Sequence, residues 1–188
     1  MSKFTREDLG VDKDWTYDNN STWSPSNDRI YNFFAKHYNN EQVVLEIGCL
    51  HGQSFKRAIK TIPHNNIKKA FLIDINKKVI DNINAKLKIN NPYGFKIKAY
   101  VNNGINLEMI STGTVDYVFS FHVFKGSSCS FNTVVPAYLP EIKRVLRAKG
   151  KYLINTWYKN MPYQEVYAYE PFNSPMRNEV FFGYRENL

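Results

Sequence analysis

The segment VVLEIGCLHGQSF, residues 43–55, constrains this chain more than any other. An apolar run broken by Glu46 leads into two glycines four positions apart, Gly48 and Gly52, and then into the helical spacing of QSFKRAIKTI. That order encodes a buried strand, a tight turn and a helix. In an open parallel sheet such a turn lies beyond the carboxyl end of its strand, where small ligands bind. Glycine permits the turn and lets a ligand rest against bare backbone. A dinucleotide site would need GxGxxG, but Leu50 and Gln53 stand where its other glycines belong when counted from Gly48. Glu46 would also repel a diphosphate and favour a cationic ligand.

The rest of the chain alternates in the same way. SPSNDRIYNFFAKHYNN carries Ile30, Phe33 and Phe34 at helical spacing behind Ser26 or Asn27 as a cap. AFLIDI (70–75), KIKAYV (96–101), VDYVFSF (115–121) and GKYLINTW (150–157) read as strands, and NKKVIDNINAKLKI as a helix with Val79, Ile80, Ile83 and Leu87 on one face. FNTVVPAYLPEIKRVLRAKG is helical in pattern, but Pro140 cannot donate a backbone bond, which predicts a break near Leu139. QEVYAYEP and EVFFGYREN, joined by FNSPMRN, predict a C-terminal antiparallel hairpin. The fold class is therefore α/β, a Rossmann-like, doubly wound, mostly parallel sheet ending in that hairpin. Residues 1–25, holding Trp15, Tyr17 and Trp23 without a period, form an aromatic arm or lid, and residues 26–188 form one domain.

Composition removes several classes. At 188 residues with 43% hydrophobic content the chain can bury a core of its own. No apolar run approaches the roughly 18 residues of a membrane span, and MSKFTREDLGVDKDW is charged where a signal peptide is apolar, so the expected location is the cytosol. Cys49 and Cys129 have no CxxC partner, which argues against a disulfide framework or a zinc site. The net charge of +8 comes from 18 Lys against 7 Arg, alongside 22 Asn. Eleven basic residues fall between Lys56 and Lys98 and read as solvated helix faces, since phosphate recognition favours the arginine fork.

An acid, a short glycine turn and a second acid closing the next strand suit S-adenosylmethionine, whose sulfonium and amino group are positive and whose ribose offers a diol. Asp74, at the end of AFLIDI, is placed to accept from both ribose hydroxyls.

EIGCLHG resembles the glycine-rich first motif of class I S-adenosylmethionine-dependent methyltransferases, with LIDIN as the second. VNNGINLEMISTGTVDYVFSFHVF is similar to their third and fourth motifs, and EIKRVLRAKGKYLI to the segment before their fifth strand. The resemblance covers roughly residues 28–157. It implies a seven-stranded sheet with one antiparallel strand, and methyl transfer with S-adenosylhomocysteine as product. Glu46, Gly48, Cys49, Leu50 and Gly52 would take the methionine end, Asp74 and Ile75 the ribose, Asn103 and Gly104 the adenine, and Ser120 with its neighbours the amino group through backbone. The run from Asn102 to Val123 is most similar to small-molecule and saccharide-modifying members. Three departures stand out: Leu50 replaces the middle glycine, Asn103 the adenine-binding acid, and Ala148 the proline of the pre-strand turn.

The transfer needs alignment and, for a hydroxyl or amine acceptor, a base. His122, one residue past the expected strand end, is the candidate, and its alternative is packing in the loop. His51 belongs to the turn, while His37 and His64 lie among polar residues and read as surface positions. Tyr158, Tyr163 and Tyr167 are candidates for the acceptor wall. Phe121 occupies the place of the aspartate in metal-dependent catechol-type enzymes, so no metal site is expected. No Pro-Cys nucleophile is present, and NNPYGF lies before the wrong strand for an N6-adenine enzyme. The expected acceptor is a small molecule or saccharide, methylated at oxygen or nitrogen. An RNA or DNA methyltransferase and a cofactor-binding protein without turnover are the alternatives.

Overall fold

The computed structural model describes residues 27–188 apart from 51, 63–65, 105, 125–130, 157, 159 and 170–177, and omits the side chains of 27, 28, 53, 122, 131–133, 169 and 178. The aromatic arm, Ser26, His51, His64 and Cys129 therefore lie outside the described residues.

The elements run α1 (Asn27–His37), β1 (Val43–Ile47), α2 (Gln53–Thr61), β2 (Lys69–Asp74), α3 (Lys77–Ile89), β3 (Lys96–Val101), β4 (Val115–Phe124), α4 (Phe131–Val145), β5 (Leu146–Thr156), β6 (Glu165–Tyr169) and β7 (Asn178–Tyr184), followed by a short 3-10 turn. They build a seven-stranded sheet in the order β3-β2-β1-β4-β5-β7-β6. Neighbours from β3 to β5 are parallel, and β7 alone runs against both β5 and β6. The chain order reverses between β1 and β4, which is where a doubly wound sheet opens its ligand crevice.

Apolar sequence dictates the layers. The last four residues of β1 and the last five of β2 are fully buried, as befits strands covered on both faces. One core joins Phe34, Val44, Phe55, Leu72, Ile80 and Phe119 beneath α1, α2 and α3. The other joins Leu45, Phe71, Ile73, Val118, Val135, Ile142 and Ile154 beneath α4. Phe34 lies 5.0 Å from Tyr117 in a stacked pair, and a side chain so completely buried contributes about 1.5–3 kcal/mol of transfer free energy. Asn76 caps α3 by accepting from the Val79 amide, and Val79, Ile80 and Ile83 form the buried stripe expected from their spacing.

Four sequence expectations need correction. The helix around Pro140 does not break: α4 runs from Phe131 to Val145 with Pro136 and Pro140 inside it. The missing donors cost local bonds, but Val134, Val135, Tyr138, Ile142 and Val145 hold the helix on the sheet. β5 begins at Leu146, so Ala148 sits in an irregular strand start and not in a turn; Lys149 adopts φ +60° and donates its amide to Glu186. His37 is not a surface residue. Its ring stacks 3.8 Å from Phe182 and meets Phe33 edge-on, and Nε2 lies 3.2 Å from Glu165. Burial lowers its pKa, with Glu165 opposing. Nor do the three tyrosines share one wall: Tyr167 packs on Phe33 beneath α1, whereas Tyr158 and Tyr163 belong to the opposite face, Tyr163 against Phe181.

Candidate functional site

The turn after β1 is lashed to the end of β2. Amides of Gly48 and Cys49 both donate to the Ile73 carbonyl, at 2.8 and 3.0 Å, and the Gly52 amide donates back to Cys49 at 2.8 Å. Asp74 completes the tie, since its Oδ2 accepts from the Leu50 amide and its Oδ1 from the Asn76 amide, each at 2.9 Å. One carboxylate thus joins the glycine turn to the cap of α3. Ile75, half-buried, separates Asp74 from Asn76 in the chain.

Three residues of the turn hold left-handed backbone. Gly48 has φ +73°, and a Cβ there would fall 2.0 Å from Val123 Cγ2, so β4 closes on bare backbone. Gly52 has φ +74° and caps α2 without a side-chain bond; a Cβ there would meet nothing within 4 Å. Leu50, at φ +45°, occupies the middle position where glycine would be free of steric penalty.

Glu46 is 0% exposed, and neither of its carboxyl oxygens has a hydrogen-bond partner among the described residues. Burial, and secondarily the charge on Asp74, push its pKa well above the usual carboxylate range. Burial likewise raises the pKa of Cys49, with the charges of Glu46 and Asp74 adding to it, which disfavours the thiolate form. Ser120, buried in β4, also leaves its Oγ without a partner among the described residues.

The loop after β3 is organised by a residue that sequence reasoning passed over. Asn102 is 2% exposed; its Oδ1 accepts from the Gly104 amide at 2.7 Å and from the Tyr138 hydroxyl at 2.5 Å, while its Nδ2 donates to the Asn106 carbonyl. Gly104 is buried at φ +79°. Asn103, half-buried, folds over Asn106, whose amide donates to Asn103 Oδ1 at 3.0 Å. Further along, Glu141 accepts from the Leu107 amide, and Arg144 donates to the carbonyls of Leu107 and Ile110. Tyr138, Glu141 and Arg144 lie three residues apart on α4, and that spacing was the available signal.

β4 extends to Phe124, so His122 lies within the strand and not one residue past it, with a register irregularity between Ser120 and Phe124. Its side chain is outside the described set. Among the described residues no cluster of His, Cys, Asp and Glu could hold a metal ion.

A buried acid with two unmatched oxygens, a second acid at the next strand end, and open space over Gly52 fit a ligand that brings positive charge and a diol. That combination suits S-adenosylmethionine and opposes a diphosphate.

The sequence profile of the methyltransferase domain family matches residues 45–154, more than half of the chain. A search of curated proteins finds no match. Among solved structures, spermidine synthase from Thermotoga maritima is similar with a TM-score of 0.56 at 17% identity, over 83% of this chain and 57% of that one. The cyclase SpnF follows at 0.55 and 18%, over 76% and 49%. Geranyl diphosphate methyltransferase, solved in complex with SAM, gives 0.52 and 16%, over 69% and 48%. The chain spans about half the length of these structures, and at such identities the likeness is one of fold.

Proposed function

This chain belongs to the methyltransferase domain family, and from that membership and the geometry of its turn we propose that it transfers a methyl group from S-adenosylmethionine to a small-molecule or saccharide acceptor, at oxygen or nitrogen. The observation that carries the reading is Glu46, a buried carboxyl with both oxygens unmatched beside the glycine turn. Leaving such a group unpaired is costly, and a cationic ligand removes the cost.

In this reading Glu46, Gly48, Cys49, Leu50 and Gly52 hold the methionine end, Asp74 and Ile75 the ribose, and Asn103 and Gly104 the adenine. Ser120 and its neighbours receive the amino group through backbone. When bound, the sulfonium supplies an activated methyl group. The protein then has to align the acceptor, exclude water and remove its proton. His122 is proposed as that base, and the arm of residues 1–25, with Trp15, Tyr17 and Trp23, as a lid. The similarity of 102–123 to small-molecule and saccharide-modifying members supports the acceptor class. A second reading, a nucleic acid acceptor, has one observation in its favour, the lysine-rich edge taken up below. No helix of the described residues is long and apolar enough to cross a membrane; the cytosolic setting is part of the proposal.

Calorimetric titration with S-adenosylmethionine tests the reading, and absence of binding at millimolar ligand overturns it. His122→Ala is expected to lower turnover about 10²-fold or more while cofactor affinity stays within about twofold; an unaltered rate removes His122 as the base.

Glu46 makes a separate expectation. Its folded pKa is raised and its unfolded value is ordinary, near 4.5. The stability it contributes is complete below that value and is lost as pH rises toward the folded pKa. Each unit of displacement is worth about 1.4 kcal/mol. The ligand-free Glu46→Gln protein should therefore show a flatter decline of Tm above pH 4.5 than the parent, together with weaker cofactor binding. Parallel Tm profiles for the two proteins would show the carboxyl to be unperturbed.

A further inference from the structure

The positive charge of this chain is confined to one part of it. Residues 56–98 contain eleven Lys and Arg but two acids, Asp74, buried in the turn, and Asp81, paired with Lys77. Outside that segment basic and acidic residues nearly cancel.

The fold concentrates part of this excess on β2 and β3. Register pairs Lys69 with Lys96, Phe71 with Lys98 and Ile73 with Tyr100. Phe71, Ile73 and Tyr100 belong to the core face beneath α4, while Ile97 and Ala99 belong to the other. Strand alternation therefore sets Lys69, Lys96, Lys98 and Tyr100 on one side of the sheet. On that side α4 packs on β4 and β5, and Leu107 and Ile110 join Phe71 and Ile73 in the core, while Lys96 stays exposed and Lys69, Lys98 and Tyr100 half-buried. Lys69 lies 4.2 Å over the Phe71 ring, and Phe71 stacks with Tyr100 at 6.4 Å. Among the described residues no salt bridge joins an acid to Lys68, Lys69, Lys96 or Lys98, and the feature that sets Lys69, Lys96 and Lys98 apart is their clustering across one strand pair. Burial and then the charges of Lys98 and Lys96 depress the pKa of Lys69.

One lysine suffices to protect an edge strand from pairing. Three that crowd one another without a carboxylate are a cost that an external anion offsets. Their arrangement specifies its shape. Lys96, Lys98 and Tyr100 form a row along an outermost strand with steps of about 6.6 Å, and the row ends at the loop that carries Asn102 and Asn103. A row fits a linear polyanion better than a planar surface, and cations followed by an aromatic ring are what a single-stranded nucleic acid binds.

We propose that this edge is a docking track for the phosphate backbone of single-stranded nucleic acid, running toward the carboxyl end of β3. Docking does not depend on the methyltransferase reading, since it concerns surface charge and not the cofactor turn. It would place a nucleic-acid-borne acceptor beside that turn.

Fluorescence anisotropy with a labelled 20-nucleotide RNA at 150 mM KCl tests the track. The Lys69→Ala/Lys96→Ala/Lys98→Ala protein should bind at least tenfold more weakly, and the slope of log K against log salt should shrink by about 0.7 for each phosphate that no longer meets a lysine. Lys36→Ala/Lys143→Ala/Lys149→Ala makes the same change in net charge elsewhere and should lose less than threefold. Equal losses in the two variants would reduce the effect to net charge and overturn the track. So would undiminished RNA binding by the first variant, no RNA binding by the parent, or parent binding only to phosphatidylglycerol vesicles. S-adenosylmethionine titration of the same proteins, expected to be unchanged, separates failure of the track from failure of the enzymatic reading.

Discussion

Asp74→Ala is expected to weaken S-adenosylmethionine binding more than tenfold in calorimetry and to lower the stability of the ligand-free protein as well. The two losses have one origin. The carboxylate accepts the Leu50 and Asn76 amides, so its removal leaves two donors unmatched at a buried site and costs about 1–3 kcal/mol. In the proposed cofactor complex, two ribose hydroxyls would also lose their acceptor. Asp74→Asn separates the contributions, since its single carbonyl can satisfy one amide while its NH₂ group faces the other donor. It should fold more stably than the alanine variant yet bind no better than about tenfold below the parent. Unchanged affinity in both variants would show that the ligand does not reach this strand end.

Gly48→Ala should be the most destabilising single methyl that can be added to the turn. At φ +73° any side chain carries the left-handed penalty, about 1–2 kcal/mol. The new methyl would also fall 2.0 Å from Val123 Cγ2, an overlap that typically costs a further ~1–3 kcal/mol as β4 is pushed aside. Denaturant unfolding should therefore register a loss of about 2–5 kcal/mol. Val123→Ala in the same chain should return the steric share and leave the dihedral share, a coupling that a double-mutant cycle reads directly. If the cycle shows no coupling, β4 does not press on the turn as described. Gly52→Ala, with open space around its added methyl, should show the dihedral share alone.

Legibility from sequence followed the range of the forces involved. β3 keeps its expected bounds through its alternation, and β1 and β2 follow their buried apolar runs, β2 displaced by one residue from its expected span. Burial on both faces writes itself into consecutive residues, so such strands need no distant information. The C-terminal hairpin was equally readable from its alternation. Pro140 misled because the rule for proline is local, whereas α4 is held by five side chains packed on the sheet. His37 looked exposed among polar neighbours, and only the fold brings Phe182 over its ring. In the site, the glycines and the two acids could be named from spacing. Asn102 could not, because its decisive partner, Tyr138, comes from a helix on the far side of β4 in the chain. Its neighbour Asn103 drew attention through the resemblance alone, and the structure shows its carbonyl already engaged by Asn106.

Tyr138, Glu141 and Arg144 give the loop after β3 the rigidity of a helix without spending the residues of one. To displace that loop a ligand would have to release bonds to Asn102, Leu107 and Ile110 together. The end of the crevice proposed for the nucleobase is in that sense cast in place, a mould that selects by shape and does not yield. Any accommodation of differently sized guests has to come from the opposite rim.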